Sequence, residues 1–304
     1  MLTCSETRGV HRSWEPCDFF ELANVEPPVE AIAPGCHCLL YGPAGCGKTT
    51  LLFQHALAVT RRDPDARVLF ICRREAIEAS PPLLPRASAD VEPATRIQMK
   101  YLANHHEVGK LASLMHLLPP EELPSLIILD DFSGFFPGGR GSAGGRGDGG
   151  GGGGQGQYQG TYGGGNGAAQ HSHVPHDRRE REMSLMRTIA ALHECALFIR
   201  RPPGGDEKCL LLISERAEEN SDLPPAAYLF QKWFACMMAV RPAREGDEGW
   251  GCVGAGVETA RHAAKGNTFE IWPWRSAGIS SGRIGGIRYA VDNSAGTLVP
   301  IGFT

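Results

Sequence analysis

From Cys36 onward, short apolar runs alternate with amphipathic segments. The run CHCLLY (36–41) leads through a Gly-rich turn into Lys48–Arg62, where Leu51, Leu52, His55, Leu57 and Val59 leave one apolar side, as a helix requires. After the turn signal RDPDA comes RVLFICR (67–73), continuously apolar in its middle and suited to a strand covered on both faces. RIQMKYL (96–102) alternates as a strand, and EVGKLASLMHLL (107–118) reads as a helix stopped by Pro119 and Pro120. LIIL (126–129) is the next strand, followed later by a helix over 177–199, with Met183, Met186, Ile189, Ala190, Leu192 and Leu197 toward the sheet. KCLLLISERA (208–217) is a further buried strand, and AAYLFQKWFACMMAVRPA (226–243) gives a short helix and another strand. This alternation predicts an α/β fold with a mostly parallel sheet flanked by helices. NTFEIWPWR (267–275) and GGIRYAVDNSAGTLVPI (285–301), the latter with a hairpin turn, would extend the sheet antiparallel at the C-terminus.

Composition divides this core. Residues 35–137 and 177–304 form its two parts, and 138–176 form a Gly-rich insertion that cannot bury enough apolar surface to offset its ordering entropy. The insertion is therefore expected to be a disordered spacer. Its two GGR triplets, with Arg140 and Arg146, and its Tyr158 and Tyr162 leave a nucleic-acid contact as the alternative. His171, His173 and His176 are expected to be exposed linker residues, because a metal site would need firm geometry and a fourth ligand. Residues 1–34 are an N-terminal extension, with Trp14, Phe19 and Phe20 available to cover one edge of the core.

The formal net charge of −4 gives no global basic footprint, so any nucleic-acid surface must be a local patch. Ten cysteines lack a CxxC or zinc-finger spacing. Cys38, Cys72, Cys209 and Cys236 fall in apolar runs and are expected to be buried free thiols in a reducing compartment. With no secretory pattern and no apolar run approaching about 18 residues, a soluble intracellular protein without membrane partners is expected.

The chemistry lies in GPAGCGKTT. Gly42, Pro43, Ala44, Gly45, Cys46, Gly47, Lys48, Thr49 and Thr50 complete the pattern G-x-x-x-x-G-K-[ST] between a strand and a helix, the setting of a phosphate loop. Glycines let successive backbone N–H groups converge on an anion, and the helix turns its positive end toward the same phosphates. Lys48 is assigned to the β- and γ-phosphates of ATP, and Thr49 to Mg²⁺. A Gly-rich turn before an ordinary helix is the competing reading, and the complete motif in this setting disfavours it. LIIL ends in Asp130 and Asp131, the form of a Walker B strand. Asp130 is assigned to Mg²⁺ and Asp131 to water positioning.

This order of motifs resembles the RecA-like core of P-loop ATPases shared by recombinases and their paralogues. More narrowly, GPAGCGKTTLLFQHAL, VLFICRR, RIQMKYL and LPSLIILDDF are similar to the SWIM-domain-associated ATPases, recombinase-paralogue subunits of the metazoan-type Shu complex. The similarity covers residues 36–132 in motif and 177–301 in element order. It implies a nuclear ATPase that assists homologous recombination in DNA repair, binds single-stranded DNA, and partners a SWIM-domain zinc-finger protein and a recombinase.

Two places depart from the recombinase pattern. A water-activating glutamate would sit just past LFICR, where this chain has Arg73 and Arg74 with Glu75 next. Hydrolysis is therefore expected to be slow and DNA-stimulated, with Lys48, Asp131 and Glu75 as its catalytic candidates. The sensor strand usually ends in an amide, and the matching place reads Ser214-Glu215-Arg216. An ionised carboxylate there cannot donate a hydrogen bond. DNA contacts could come from Arg140, Arg146, Arg178, Arg179, Arg181 or the Arg200–Arg201 loop. DRRERE reads first as a solvated helix start, and RRPPGGDEK is expected, by fold analogy, near the C-terminal edge of the sheet. Two other functions stay open: an assembly subunit whose bound nucleotide is a folding clamp, and a small-molecule P-loop kinase, for which no compact arginine-rich lid is evident. Trp272 and Trp274 flank Pro273, and packing over the sheet is expected before a partner surface.

Overall fold

In the computed structural model the described residues are Phe19, 37–83, 91–137, 174–199, 209–217, 223–234, 236–243, 251–252, 268–274, 286–292 and 297–303. Five short strands dominated by apolar residues form the parallel part of the sheet: β1 (Cys38–Gly42), β2 (Val68–Cys72), β3 (Ile97–Tyr101), β4 (Leu126–Leu129) and β5 (Leu210–Arg216). A sixth, β6 (Cys236–Pro242), pairs parallel with β1. Antiparallel strands β7 (Gly251–Cys252), β8 (Thr268–Trp274), β9 (Ile287–Asp292) and β10 (Thr297–Phe303) complete one sheet of order β3-β2-β4-β5-β1-β6-β8-β9-β10-β7. The expected α/β class, with its antiparallel extension, is therefore present.

Helices cover both faces because the strands are apolar on both. Leu39, Tyr41, Ile71, Leu129 and Ile213 belong to one core cluster; their chain neighbours Leu40, Phe70, Ile128 and Leu212 belong to the other. That division is the two-residue period of a strand. The first cluster also contains residues of α4 (His105–Leu114), α5 (Val174–Phe198) and α6 (Ala227–Trp233). The second takes α1 (Lys48–Arg62), with Phe19 buried beside His55 and the β8–β10 tail. In the tail, Glu270 on β8 and Arg288 on β9 are direct cross-strand partners joined by an ion pair.

Local chemistry sets the helix ends. α4 starts two residues earlier than its apolar pattern suggests, because Asn104 caps it by accepting the Glu107 N–H at 3.1 Å. Glu107 reciprocates by accepting the Ala103 N–H at 2.8 Å, a capping box. Its expected last turn becomes the 3₁₀ segment Met115–Leu117, ahead of Pro119. The short helices α2 (Arg74–Ala79) and α3 (Val91–Thr95) had no apolar periodicity to announce them, and Pro93 is the one buried residue between them.

The Arg200–Arg201 loop, expected near the C-terminal edge of the sheet, lies outside the described residues. The chain leaves α5 at Ile199, whose carbonyl accepts the Cys209 N–H at 3.4 Å, and enters β5 at Leu210. Residues 200–208 lie outside the described residues, as do Arg140, Arg146, Tyr158, Tyr162, His171 and His173. Among the described cysteines, Cys38, Cys46, Cys72, Cys195, Cys209 and Cys236 are buried thiols outside any disulfide. No described helix is long and apolar enough to cross a membrane.

Candidate nucleotide site

The phosphate loop joins β1 to α1 and turns on two glycines with left-handed backbone, Gly45 (φ 74°) and Gly47 (φ 83°). An L side chain at either position would be strained, which explains the glycine spacing of the motif. Gly47 is the N-cap of α1, with no side-chain cap and no acid in the first turn. The first intrahelical bond runs from the Leu51 N–H to the Gly47 carbonyl. The N–H groups of Lys48, Thr49 and Thr50 therefore lack intrahelical partners and stand at the positive end of a helix dipole, a receptor for phosphate oxygens. Lys48 Nζ reaches back over this loop, donating to the Gly42 carbonyl at 2.9 Å and the Pro43 carbonyl at 2.6 Å. Ala44 and Gly45 are exposed at its tip, whereas Cys46 is buried beneath. The Thr50 side chain is buried, and its hydroxyl accepts the Leu83 N–H at 3.0 Å.

Parallel pairing of β4 with β5, and of β5 with β1, brings the Walker B carboxylates beside this loop. Thr49 Oγ1 donates to Asp130 Oδ2 at 2.7 Å, and Ser214 Oγ donates to Asp130 Oδ1 at 2.6 Å. The same Ser214 oxygen accepts the Asp131 N–H at 2.8 Å. A hydroxyl and a carboxylate, both hard oxygen donors in direct contact, fit Mg²⁺ at this place. Burial pushes the Asp130 carboxyl above its usual range, and the Ser214 and Thr49 hydrogen bonds oppose it. A divalent cation would lower the cost of keeping this buried group ionised.

Asp131 points elsewhere. It adopts a left-handed backbone (φ 55°) at the start of the 3₁₀ turn Phe132–Phe135, and its Oδ2 accepts from Arg73 Nη2 at 2.9 Å. Buried Phe132 and Phe135 anchor the turn and so maintain this conformation. A Cβ on Gly134 would lie 2.6 Å from both Arg73 Nη2 and Asp131 Oδ2, so only glycine lets the pair rest there. Arg73 thus faces the second Walker B acid from the end of β2, where the resemblance places a glutamate. Glu75 is exposed in the first turn of α2 and outside the hydrogen-bonded network of Thr49, Asp130, Ser214 and Asp131.

Glu215 is fully buried. Its Oε2 accepts from Ser133 N at 3.0 Å and Ser133 Oγ at 2.7 Å, and its Oε1 accepts from Arg216 N at 2.7 Å. Burial pushes its carboxyl up to about 7, against the lowering effect of Ser133. In all three of these hydrogen bonds the carboxyl group at the sensor position is the acceptor.

A groove of about 1060 Å³ opens where α4 starts, where the chain leaves the Phe132–Phe135 turn, and along the first turns of α5. Arg178, Arg179, Arg181 and Arg187, against the single acid Glu180, make its lining net cationic, and the His105 ring stacks on Phe136 with centroids 4.7 Å apart. It lies at the same edge of the sheet as the phosphate loop.

Sequence reasoning singled out Lys48, Thr49, Asp130 and Asp131, and strand order brings the four to one edge of the sheet. It missed Ser214 and Arg73 as partners of the two acids, which lie 84 and 58 residues away in the chain. It also missed Tyr289, whose hydroxyl donates to the Cys46 carbonyl of the phosphate loop at 2.6 Å from 243 residues away. No local signal marks any of these three, since strand order creates the contacts.

No protein-family model matches the chain, and no curated protein matches its sequence. Among solved structures, the crystal structure of the RadB recombinase is similar to it, with 12% identity over 88% of this chain and 91% of that one, at a TM-score of 0.45.

Proposed function

We propose that the protein is an ATP-binding, weakly hydrolysing recombinase paralogue that assists homologous recombination on single-stranded DNA. The observation that carries the nucleotide part is the continuous network of Thr49, Asp130 and Ser214 beside an uncapped helix N-terminus. In this reading the phosphate-loop N–H groups and Lys48 hold the phosphates, and Thr49 with Asp130 holds Mg²⁺. Bound Mg²⁺ would supply charge neutralisation at the phosphates. Slow turnover follows from the chain's own groups: Arg73 occupies the Asp131 carboxylate, and Glu75 stands apart. The recombination role rests on the motif resemblance, together with the cationic groove beside the nucleotide edge. A SWIM-domain zinc-finger protein and a recombinase are the proposed partners, and the nucleus the proposed location.

The testing experiment is ATP binding and hydrolysis by the purified protein, with and without single-stranded DNA, beside Lys48→Ala and Asp130→Ala. DNA-stimulated turnover that disappears in both variants supports the proposal. Absence of nucleotide binding by the unmodified protein sinks it. The Arg73–Asp131 pair favours a second reading, in which the nucleotide is a folding clamp for an assembly subunit. Tight ATP binding without turnover under either condition would select that reading.

A further inference from the structure

We propose that Tyr289, in the C-terminal β extension, is a positioning residue of the phosphate site that fixes the backbone orientation of Gly47; this rests on the nucleotide reading above. Tyr289 lies in β9, is wholly buried, and donates its hydroxyl hydrogen to the Cys46 carbonyl at 2.6 Å. Burial raises the phenol well above its ordinary value, so it remains a donor at every pH the fold tolerates. The Cys46–Gly47 peptide is trans, so its C=O and N–H point in opposite directions. Holding the carbonyl against the hairpin therefore aims the Gly47 N–H away from the Tyr289 hydroxyl.

That constraint matters because Gly47 has the backbone freedom to permit either orientation of the preceding peptide. The hairpin supports the same residue by packing: a Cβ on Gly47 would lie 3.2 Å from Leu298 and 3.6 Å from Val291. A reversed peptide would leave a buried phenol without this acceptor, which disfavours it. The phosphate loop thus takes one of its amide directions from a strand at the far end of the chain, and phosphate affinity should depend on that strand.

The test uses the full chain, with Mg-ADP and inorganic tripolyphosphate as calorimetric probes, and urea unfolding alongside. Tyr289→Phe keeps the ring and removes the hydroxyl; we expect both probes to bind about tenfold more weakly. Phe269→Leu is the control for packing, since Phe269 lies 6.0 Å from the Tyr289 ring and leaves the hydroxyl intact. It should lower the urea midpoint without weakening either probe. If the unmodified protein binds both probes and Tyr289→Phe binds them equally well, the positioning role is overturned and the nucleotide reading stands. If the unmodified protein binds neither, both fall. Should Tyr289→Phe fail to fold, hydrogen exchange of the unmodified protein decides: added protection of Ile287–Asp292 on binding tripolyphosphate is expected, and unchanged protection overturns the proposal.

Discussion

Asp130, just past the end of β4, and Glu215, on the neighbouring β5, are two buried acids that differ in what surrounds them. Asp130 receives hydrogen bonds from Ser214 and Thr49, and removing the Ser214 hydroxyl would leave Asp130 Oδ1 and the Asp131 N–H without it. Ser214→Ala should therefore cost about 1–3 kcal/mol of stability, read as a lower urea midpoint, and weaken Mg-nucleotide binding. A variant as stable as the parent would remove Ser214 from the site. Burial raises both carboxyls, Glu215 from an ordinary value of 4.5 to about 7. Between those values the folded chain holds a proton that the unfolded chain has released. Its contribution is thus full below pH 4.5 and lost as pH rises through 7, a change of roughly 3 kcal/mol at most. Glu215→Gln, which supplies a neutral amide, should flatten stability over that window; a pH profile unchanged by the substitution would contradict this. At this scale Lys48, Thr49 and Asp130 were legible because the phosphate-loop and Walker B motifs are local. The serine and arginine contacts were not, because they depend on which strands become neighbours.

The 3₁₀ turn Phe132–Phe135 is the element that decides how Asp131 is used. The Asp131 carboxylate, at its start, is turned onto Arg73, and Gly134 leaves the space for that ion pair. Arg73→Ala, or Gly134→Ala, would release Asp131 Oδ2. The side chains of Arg73 and Asp131 are 19% and 37% exposed, so breaking the pair should cost no more than about 1 kcal/mol. ATP turnover should rise severalfold in both variants, measured as phosphate release at saturating nucleotide. Unaltered turnover would show that Asp131 is not the group limiting water activation. Elements with strong periodicity were readable in advance: α1 runs from Lys48 to Arg62 as its apolar side predicts. The turn was not, since FSGF has neither helical nor strand periodicity and takes its shape from Phe132 and Phe135 anchoring against the sheet.

Over the whole molecule, the arginines expected to serve one purpose come from separate segments of the chain. Arg178, Arg179 and Arg187 line the groove at the edge that carries the phosphate loop. Arg200 and Arg201, between α5 and β5 in the chain, lie outside the described residues. Alternating α and β elements revealed the sheet from sequence, but not the edge to which each connection belongs, because that depends on strand direction. If single-stranded DNA lies along the groove, replacing Arg178, Arg179 and Arg187 with glutamate should weaken its binding by at least tenfold. The slope of log affinity against log salt should become shallower by about 2, near 0.7 for each phosphate that the protein no longer neutralises. ATP binding should remain, since these side chains are outside the Thr49–Asp130–Ser214 network. Arg200→Ala with Arg201→Ala should leave DNA affinity unchanged. The reverse pattern, with DNA binding abolished only in the Arg200–Arg201 variant, would move the DNA from the groove to the segment between α5 and β5.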